Sequence, residues 1–355
     1  MTSLESFQHE FKPGFGSDNH SGVHPALMQA LLDVNHSHAP SYGTDPVTHA
    51  AEEHFKKQFG PRAQTFFVFN GTAANVVSLR SLVRPHQSIV ASDQSHLHWD
   101  ECGAPEFFTG SKLLLCNTHH GKITPESLQS HLVRRGDQHY SQPRVLSLTQ
   151  PTELGTVYTV SELKILIALA KENGLLVHID GARIANAALQ LKASFAEFTT
   201  DLGVDIVSFG GTKNGLMFGE AVVCLTPEAA QSMKYLRKQC AQLPSKTRFV
   251  SAQFLAYFQN DVWREIAMHS LQMAQELRKQ LETISALQFL APTESNAVFV
   301  QLPQKIVKKL KEKFFFYVWD EKTFSCRLMT TWDTNQNDIN GLVTELKHLL
   351  QTQES

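Results

Sequence analysis

Two apolar runs that each end in polar residues constrain the fold of this chain most strongly. Residues 175–179 lead directly into Asp180 and then Arg183, while residues 205–209 lead through two glycines to Lys213. Short apolar runs bounded in this way are typical of buried strands. In an open parallel sheet, ligands bind beyond the carboxyl ends of the strands. The pattern therefore predicts that an acid and a lysine reach the same crevice from two separate strands.

An acid and a lysine at two strand ends suit pyridoxal 5'-phosphate (PLP), which needs a Schiff-base lysine and a partner for its pyridine nitrogen. A carboxylate at Asp180 would keep that nitrogen protonated, because a nearby opposite charge favours the charged form. Desolvation would lower the pKa of Lys213 and make it a better nucleophile. Each residue alone also has a structural interpretation, with Asp180 as a helix cap and Lys213 as a solvated loop residue. Their occurrence together favours the cofactor.

A third apolar run, residues 66–69, leads into Asn70-Gly71-Thr72 and a helical stretch that reaches Leu82. Glycine lets the backbone approach a ligand closely, and the free N–H groups at a helix start attract an anion. The turn matches neither G-x-x-x-x-G-K-[ST] nor G-x-G-x-x-G, so binding of a nucleoside triphosphate or a dinucleotide has little support. The turn is instead interpreted as a phosphate cradle.

Composition narrows the class of protein. An apolar fraction of 42% and a charged fraction of 19% are typical of a soluble globular chain. The formal net charge of -2, with no basic stripe, argues against nucleic acid as a partner.

The sequence contains no apolar run long enough to span a membrane and no signal-peptide pattern. Five cysteines without a C-x-x-C pair favour reduced thiols, so we expect a cytoplasmic protein. The histidines lack zinc-like spacing, and no metal site is expected.

Strand-like and helix-like segments alternate along most of the chain, which favours an α/β fold with a mainly parallel sheet covered by helices on both faces. Ser161 is expected to cap a helix that ends at Asn173. With 355 residues, the chain exceeds the length at which single cores stop growing, so two domains are predicted. We expect a large PLP-binding domain at 17–248 and a small domain at 1–16 and 249–355. A long helix at 262–284 would form the bridge.

Together these residues resemble the low-specificity L-threonine aldolase and beta-eliminating lyase group of PLP-dependent enzymes, over nearly the whole chain. The resemblance implies fold type I, the aspartate aminotransferase-like fold, with a seven-stranded, mainly parallel sheet and a smaller α+β C-terminal domain. The stretches that carry it are Ser17-Asp18-Asn19, Tyr42-Gly43-Thr44-Asp45-Pro46, Asn70-Gly71-Thr72-Ala73-Ala74-Asn75, Ser95-His96, His178-Ile179-Asp180-Gly181-Ala182-Arg183, residues 208–214 and Arg327-Leu328-Met329-Thr330.

The resemblance also implies a role for individual residues. Lys213 would hold PLP as a covalent Schiff base, and His96 would stack on the ring and act in catalysis. The remaining residues implied to contact the cofactor are Gly71, Thr72, Asp180 and Arg183. Those implied to bind the substrate carboxylate are Ser17, Arg183 and Arg327; the planar fork of arginine matches a carboxylate.

The implied reaction is retro-aldol cleavage of the Cα–Cβ bond of L-threonine or L-allo-threonine, which yields glycine and an aldehyde. The alternatives are a PLP-dependent beta-eliminating lyase and a PLP-binding protein without turnover.

The resemblance also implies a homodimer or homotetramer, in which Lys246 or Arg248 of a neighbouring subunit could reach the phosphate. Many members of the group have a histidine after the strand at 145–148, linked to the substrate hydroxyl, and this chain has none at 149–153. His96, Glu153 or a water would then be the base.

Overall fold

The chain forms two compact units. The computed structural model describes residues 14–352. One unit is Val23–Ala267, and the other consists of the described parts of Met1–Gly22 and Met268–Ser355. These bounds differ from the expected domain limits at 17 and 248, because the helix Thr247–Phe258 packs on the helix Pro46–Phe59 and so stays with the larger unit. The expected long helix is present as Val262–Glu282, and the division between the units falls within it.

A seven-stranded sheet organises the larger unit. Its strand order is β1-β9-β8-β7-β6-β2-β3. All neighbouring pairs are parallel except β1 with β9 and β9 with β8, which are antiparallel. This confirms the expected mainly parallel sheet. The strands of the larger unit, including a separate two-stranded ribbon of β4 and β5, are β1 (Gln64–Val68), β2 (Gln87–Ser92), β3 (Lys112–Cys116), β4 (Thr118–His119), β5 (Lys122–Ile123), β6 (Gln142–Thr149), β7 (Leu176–Gly181), β8 (Ile206–Phe209) and β9 (Glu220–Cys224).

The central strands of this sheet are covered on both faces. Every residue of β7 and β8 is buried, as expected for interior strands of a parallel sheet. The parallel register places Asp180 beside Thr149 of β6 on one side and Ser208 of β8 on the other. Three polar residues from three strands therefore lie side by side near the carboxyl ends of those strands.

Helices connect these strands, and several start at a residue whose side chain caps the helix. Asp45, Asn70 and Thr124 each accept a hydrogen bond from a backbone N–H in the first turn of the helix that follows. The helices of the larger unit, with α12 continuing past it, are α1 (Pro25–Asp33), α2 (Pro46–Phe59), α3 (Gly71–Leu82), α4 (His96–Trp99), α5 (Ala104–Thr109), α6 (Pro125–Gln129), α7 (Val160–Glu172), α8 (Ile184–Leu191), α9 (Pro227–Ala230), α10 (Met233–Gln239), α11 (Thr247–Phe258) and α12 (Val262–Glu282).

Helix α7 begins two residues earlier than expected. Thr159, not Ser161, is its cap: the Thr159 side chain accepts from the N–H of Glu162, and the Glu162 carboxylate accepts from the N–H of Thr159. This reciprocal pair is a capping box, which satisfies two backbone donors that would otherwise lack partners. Ser161 lies exposed inside the first turn.

An aromatic cluster supports the end of β8. Phe209, the last residue of β8, is fully buried, and its ring lies 5.3 Å from that of Phe55 and 5.4 Å from that of Phe195. The rings of Phe59 and Phe254 also contact the ring of Phe209. Burial of several aromatic side chains makes this one of the most strongly stabilised parts of the unit. It anchors the strand end from which residues 210–213 continue.

The smaller unit has its own sheet and core. A four-stranded antiparallel sheet has the order β10-β11-β13-β12. Apolar side chains from this sheet and from α12, α13 and α14 form a separate buried cluster that includes Phe15, Leu277 and Leu328. The elements are β10 (Gln288–Phe289), β11 (Ala297–Gln301), α13 (Gln304–Lys313), β12 (Tyr317–Asp320), β13 (Ser325–Met329) and α14 (Gln336–Gln351).

Candidate active site

Lys213 lies in the turn that follows β8, within the short 3-10 helix Thr212–Asn214, and is half-buried. The turn is tight: a Cβ at Gly210 would collide with the carbonyl of Ala182, and one at Gly211 with that of Gly219. Glu220 of β9 accepts a hydrogen bond from the N–H of Gly211 at 2.5 Å. Side chains larger than hydrogen are therefore excluded where the backbone leads to the lysine.

Asp180 is buried in β7, and two donors hold its carboxylate in place. Its Oδ1 accepts from the N–H of Ala182 at 3.0 Å, and its Oδ2 accepts from Nδ2 of Asn75 at 2.8 Å. Asn75 belongs to α3, which starts at the other predicted feature, Gly71. A carboxylate oxygen can accept more than one hydrogen bond. Asp180 therefore retains acceptor capacity for a cationic ring nitrogen.

Gly71 and Thr72 are the first two residues of α3. Asn70 caps the helix, with its side chain accepting from the N–H of Ala73 at 2.9 Å. The first N–H groups of a helix have no partner inside the helix and attract anions. Among residues 14–352, and apart from the chain neighbours of Gly71 and the backbone of its own helix, no heavy atom lies within 4 Å of the position that a Cβ on Gly71 would occupy. The predicted phosphate cradle is thus an open helix start, well suited to an anion.

His96 is the first residue of α4, after β2, and its ring is fixed by an acid that the sequence analysis did not single out. Nδ1 of His96 lies 2.8 Å from Oε1 of Glu101, whose side chain is fully buried. Burial works to lower the pKa of His96, but the hydrogen bond that its ring donates to Glu101 and the charges of Asp180 and Glu101 outweigh it, and the pKa lies above its ordinary value. Because a carboxylate only accepts, Nδ1 is the donor in this pair, which leaves Nε2 for the crevice.

Asn75 connects the two acids. Its Nδ2 donates to Oε1 of Glu101 at 2.8 Å as well as to Asp180. Burial raises the pKa of Glu101, and the charge of Asp180 raises it further against the hydrogen bonds from His96 and Asn75. A continuous hydrogen-bonded chain therefore runs from Asp180 through Asn75 and Glu101 to His96. Lys213 belongs to the same electrostatic neighbourhood, since its charge opposes protonation of His96.

Glu153 lies after β6 and contacts the backbone of His96. Its Oε1 accepts from the backbone N–H of His96 at 2.9 Å and from the hydroxyl of Thr149 at 2.8 Å. Its Oε2 is buried and has no hydrogen-bond partner among the described residues. Burial raises the pKa of Glu153 to about 7, although the hydrogen bonds from His96 and Thr149 oppose the shift.

A neutral histidine lies beneath Asp180. His178, two residues earlier on the same face of β7, has Nδ1 2.9 Å from Oγ of Ser147 and Nε2 2.9 Å from Oγ of Ser208. Burial lowers the pKa of His178 to about 4, against the raising effect of Asp180. The hydroxyl groups of β6 and β8 thus satisfy both ring nitrogens without requiring a charge.

The three residues expected to bind the substrate carboxylate lie in different units. Arg183 is half-buried directly before α8, in the larger unit. Ser17 and Arg327 belong to the smaller unit: Ser17 is buried and caps a short turn, and Nη2 of Arg327 donates to the carbonyl of Gly16 at 3.1 Å. The structure therefore brings Arg327 next to the segment of Ser17.

The residues of the larger unit fit PLP. The helix start at Gly71 offers donors to a phosphate, the carboxylate of Asp180 offers acceptors to a pyridinium nitrogen, and Lys213 offers an amine. Two buried polar atoms of the site, Oδ1 of Asn75 and Oε2 of Glu101, have no hydrogen-bond partner among the described residues. A bound group with hydrogen-bond donors would supply these partners.

Sequence reasoning missed Asn75 and Glu101 as members of this site. The sequence did contain a signal for Asn75, because it is a polar residue inside an apolar helical stretch at 73–77. In the structure its side chain is buried, with 2% exposed. Glu101 offered no such signal, since it lies in a short irregular segment after α4. Neither side chain could have been paired with Asp180 without the fold.

Fold and crevice together define a PLP-dependent enzyme of fold type I. The chain matches the beta-eliminating lyase family over residues 14–305. The low specificity L-threonine aldolase of Pseudomonas aeruginosa is 40% identical over 337 residues, which cover 94% of this chain and 96% of that protein. The low specificity L-threonine aldolase of a Pseudomonas species is 39% identical over 337 residues, which cover 95% and 97%. This chain belongs to the beta-eliminating lyase family.

Solved structures agree with this assignment. The threonine aldolase of Leishmania major aligns with a TM-score of 0.90 at 29% identity, and the alignment covers 95% of this chain and 99% of that one. The expected fold class, the aspartate aminotransferase-like α/β fold, is confirmed. The enzyme class expected from the resemblance, a PLP-dependent lyase of the threonine aldolase type, is confirmed as well.

Among residues 14–352, no helix has the length and apolar character that crossing a bilayer requires. Within the same residues, no three or more histidine, cysteine, aspartate or glutamate side chains are grouped so that they could hold a metal ion.

Proposed function

We propose that this protein cleaves a β-hydroxy-α-amino acid of the L-threonine or L-allo-threonine type into glycine and an aldehyde, with PLP as cofactor. One observation carries the proposal at the level of the site: Asp180 lies in β7, Lys213 follows the neighbouring parallel strand β8, and hydrogen bonds through Asn75 and Glu101 link Asp180 to His96. One cofactor-sized ring can therefore meet all three. The low specificity L-threonine aldolases that match nearly the whole chain supply the substrate class.

The cofactor-binding roles follow from the charge and geometry of each group. Lys213 provides the amine of the Schiff base, and Asp180, held by Asn75, keeps the pyridine nitrogen protonated. The N–H groups at Gly71 and Thr72 bind the phosphate at the start of α3. His96, fixed through Nδ1 by Glu101, stacks on the ring.

The substrate-binding roles rest on arginine chemistry. Arg183 and Arg327 bind the substrate carboxylate, with Ser17 assisting, because a guanidinium can donate two parallel hydrogen bonds to a carboxylate. Holding the carboxylate fixes the rotation of the substrate about its N–Cα bond and so selects the bond that breaks. When bound, PLP supplies the electron sink that accepts the electron pair left on Cα.

The oligomeric state and the compartment belong to the same proposal. We expect a homodimer or a homotetramer in the cytoplasm. Large exposed side chains support an association surface, among them Phe107 at 82%, Trp99 at 66% and Tyr235 at 62% exposure. In its own subunit, Arg248 donates to the carbonyls of His36 and Ser37. Lys246 is exposed, and we retain it with Arg248 as a candidate for a neighbouring phosphate.

A product assay tests the proposed function. The purified, PLP-loaded protein is incubated with L-threonine or L-allo-threonine, and glycine, aldehyde, keto acid and ammonia are measured together. We expect glycine and acetaldehyde in equal amounts, with activity abolished in Lys213→Ala and kept in the control Lys164→Ala, an exposed lysine of α7. A keto acid with ammonia would instead indicate beta-elimination, and PLP binding without any product would indicate a protein without turnover.

A further inference from the structure

Glu153 carries an unused carboxylate oxygen at the edge of the candidate active site. Its Oε1 is fully occupied by the N–H of His96 at 2.9 Å and the hydroxyl of Thr149 at 2.8 Å. Its Oε2 is buried and has no hydrogen-bond partner in residues 14–352. Leaving a buried carboxylate oxygen without a donor is unfavourable. A hydroxyl group of a ligand bound beside His96 would supply this donor.

The groups that face Glu153 are His96 from α4, Asp180 from β7 and Tyr158 from the segment before α7. Burial raises the pKa of Glu153 to about 7, the hydrogen bonds from His96, from Thr149 and from the backbone of Glu153 itself oppose the shift, and the charge of Asp180 adds to it. Glu101 contacts Nδ1 of the His96 ring, whereas Glu153 contacts the backbone N–H of His96. The carboxyl is consequently poised to gain and release a proton near neutral pH.

Resting on the function proposed above, we propose that Glu153 is the general base that removes the proton of the substrate β-hydroxyl through its free Oε2. A base must lie within hydrogen-bond reach of the proton that it takes, and a ligand hydroxyl is the donor that Oε2 lacks. His96 is less suited to this task. Its Nδ1 is held by Glu101, and its raised pKa favours the protonated ring.

The step is balanced without any further reactant. The hydroxyl proton passes to Oε2 of Glu153, and the O–H electron pair becomes the second bond of the aldehyde carbonyl. The Cα–Cβ bond breaks, and its electron pair stays on Cα until a proton completes glycine. Glu153 then releases its proton to water and returns to the carboxylate form.

Glu153→Gln is the decisive variant because its side-chain oxygen can still accept from His96 and Thr149, so the local structure is kept while the base is lost. We expect kcat/KM for L-threonine to fall by about 10²–10⁴-fold. Exchange of the α-proton of glycine with solvent should be unchanged, since glycine has no hydroxyl. The matched control is Glu172→Gln, an exposed residue at the end of α7, which should retain wild-type cleavage.

Two further readouts separate a base from a structural residue. In the wild type, kcat/KM for L-threonine should rise with pH through about 7, a rise that Glu153→Gln lacks. In protein prepared without PLP, infrared spectroscopy should detect carboxyl absorption that titrates near this pH and is smaller in Glu153→Gln. The remaining absorption belongs to Glu220, whose pKa burial also raises to about 7. If Glu153→Gln fails to fold, Glu153→Asp, which keeps a carboxyl, should retain the rise with pH at reduced kcat.

The proposal is overturned if Glu153→Gln cleaves L-threonine like the wild type, or if cleavage and glycine exchange are lost together. It is also overturned if the wild-type rise with pH persists in Glu153→Gln. Failure of the proposed aldolase function gives a different result from failure of the proposed role of Glu153. In that case the wild type itself makes no glycine from L-threonine.

Discussion

His178 illustrates how a single buried residue can set the pH dependence of the fold. Its two ring nitrogens lie 2.9 Å from the hydroxyl groups of Ser147 and Ser208, and burial lowers its pKa from 6.5 to about 4. In the unfolded chain the ring takes up a proton at a higher pH than in the folded protein. The stability that the neutral ring provides is therefore lost as the pH falls from about 6.5 towards about 4.

We predict that His178→Gln loses less stability on acidification than the wild type. From about pH 7 to about pH 5, protonation of the unfolded His178 should cost the wild type about 2 kcal/mol of unfolding free energy, a cost that glutamine does not incur. Urea unfolding of the two PLP-loaded proteins at both pH values measures the difference. The control His348→Gln, at an exposed position of α14, should follow the wild type. Equal losses in His178→Gln and the wild type would contradict the assignment of a neutral buried ring.

At the residue scale, the strand-end positions of Asp180 and Lys213 could be predicted because each ends a short apolar run. The partners that orient them could not. Asn75 and Glu101 reach Asp180 and His96 only because α3 and the segment after α4 pack beside β7, and contacts between residues so distant in sequence leave no local pattern. The free oxygen of Glu153 likewise depends on where the backbone N–H of His96 lies.

At the scale of elements, helix α7 shows how a capping signal can be misplaced by two residues. Thr159 and Ser161 are both good caps by residue type, and Ser161 was expected to start the helix. Thr159 prevails because a glutamate stands three residues after it and completes a capping box. From Ser161, the third following residue is Lys164, which cannot accept a hydrogen bond from the backbone.

We predict that Thr159→Ala lowers the free energy of unfolding by about 1 kcal/mol, because the N–H of Glu162 loses its acceptor. Ser161→Ala is the matched control and should stay within about 0.5 kcal/mol of the wild type, since its side chain is exposed. Chemical denaturation of the three proteins provides the comparison. The reverse order, with Ser161→Ala the more harmful, would show that the helix starts where the sequence alone suggested.

Most strands were predictable from their apolar runs, but β3 was not. Lys112–Cys116 is an edge strand with only two fully buried residues, so its pattern is weaker than that of β7 or β8. Its pairing with β2 is long-range and emerges only in the folded sheet. Strand β12 begins at Tyr317, after Phe314 and Phe316, which are buried in the core of the smaller unit.

At the scale of the whole molecule, the α/β class and the mainly parallel sheet followed from the alternation of strands and helices. The limits of the two units did not. The predicted limit at 248 falls inside α11, whose buried face packs on α2 and on the Phe209 cluster. A helix belongs to the unit against which its buried face packs. The position of the helix along the chain does not reveal which unit that is.

The central claim is that Lys213 carries the cofactor at a strand end beside Asp180, and one measurement tests it directly. The PLP-loaded protein is reduced with borohydride, which fixes a Schiff base as a stable amine, and then digested for peptide mass spectrometry. We predict a pyridoxyl group on Lys213 in the wild type and none in Lys213→Ala. A label on a different lysine, or no label in a protein that binds PLP and cleaves L-threonine, would contradict the account.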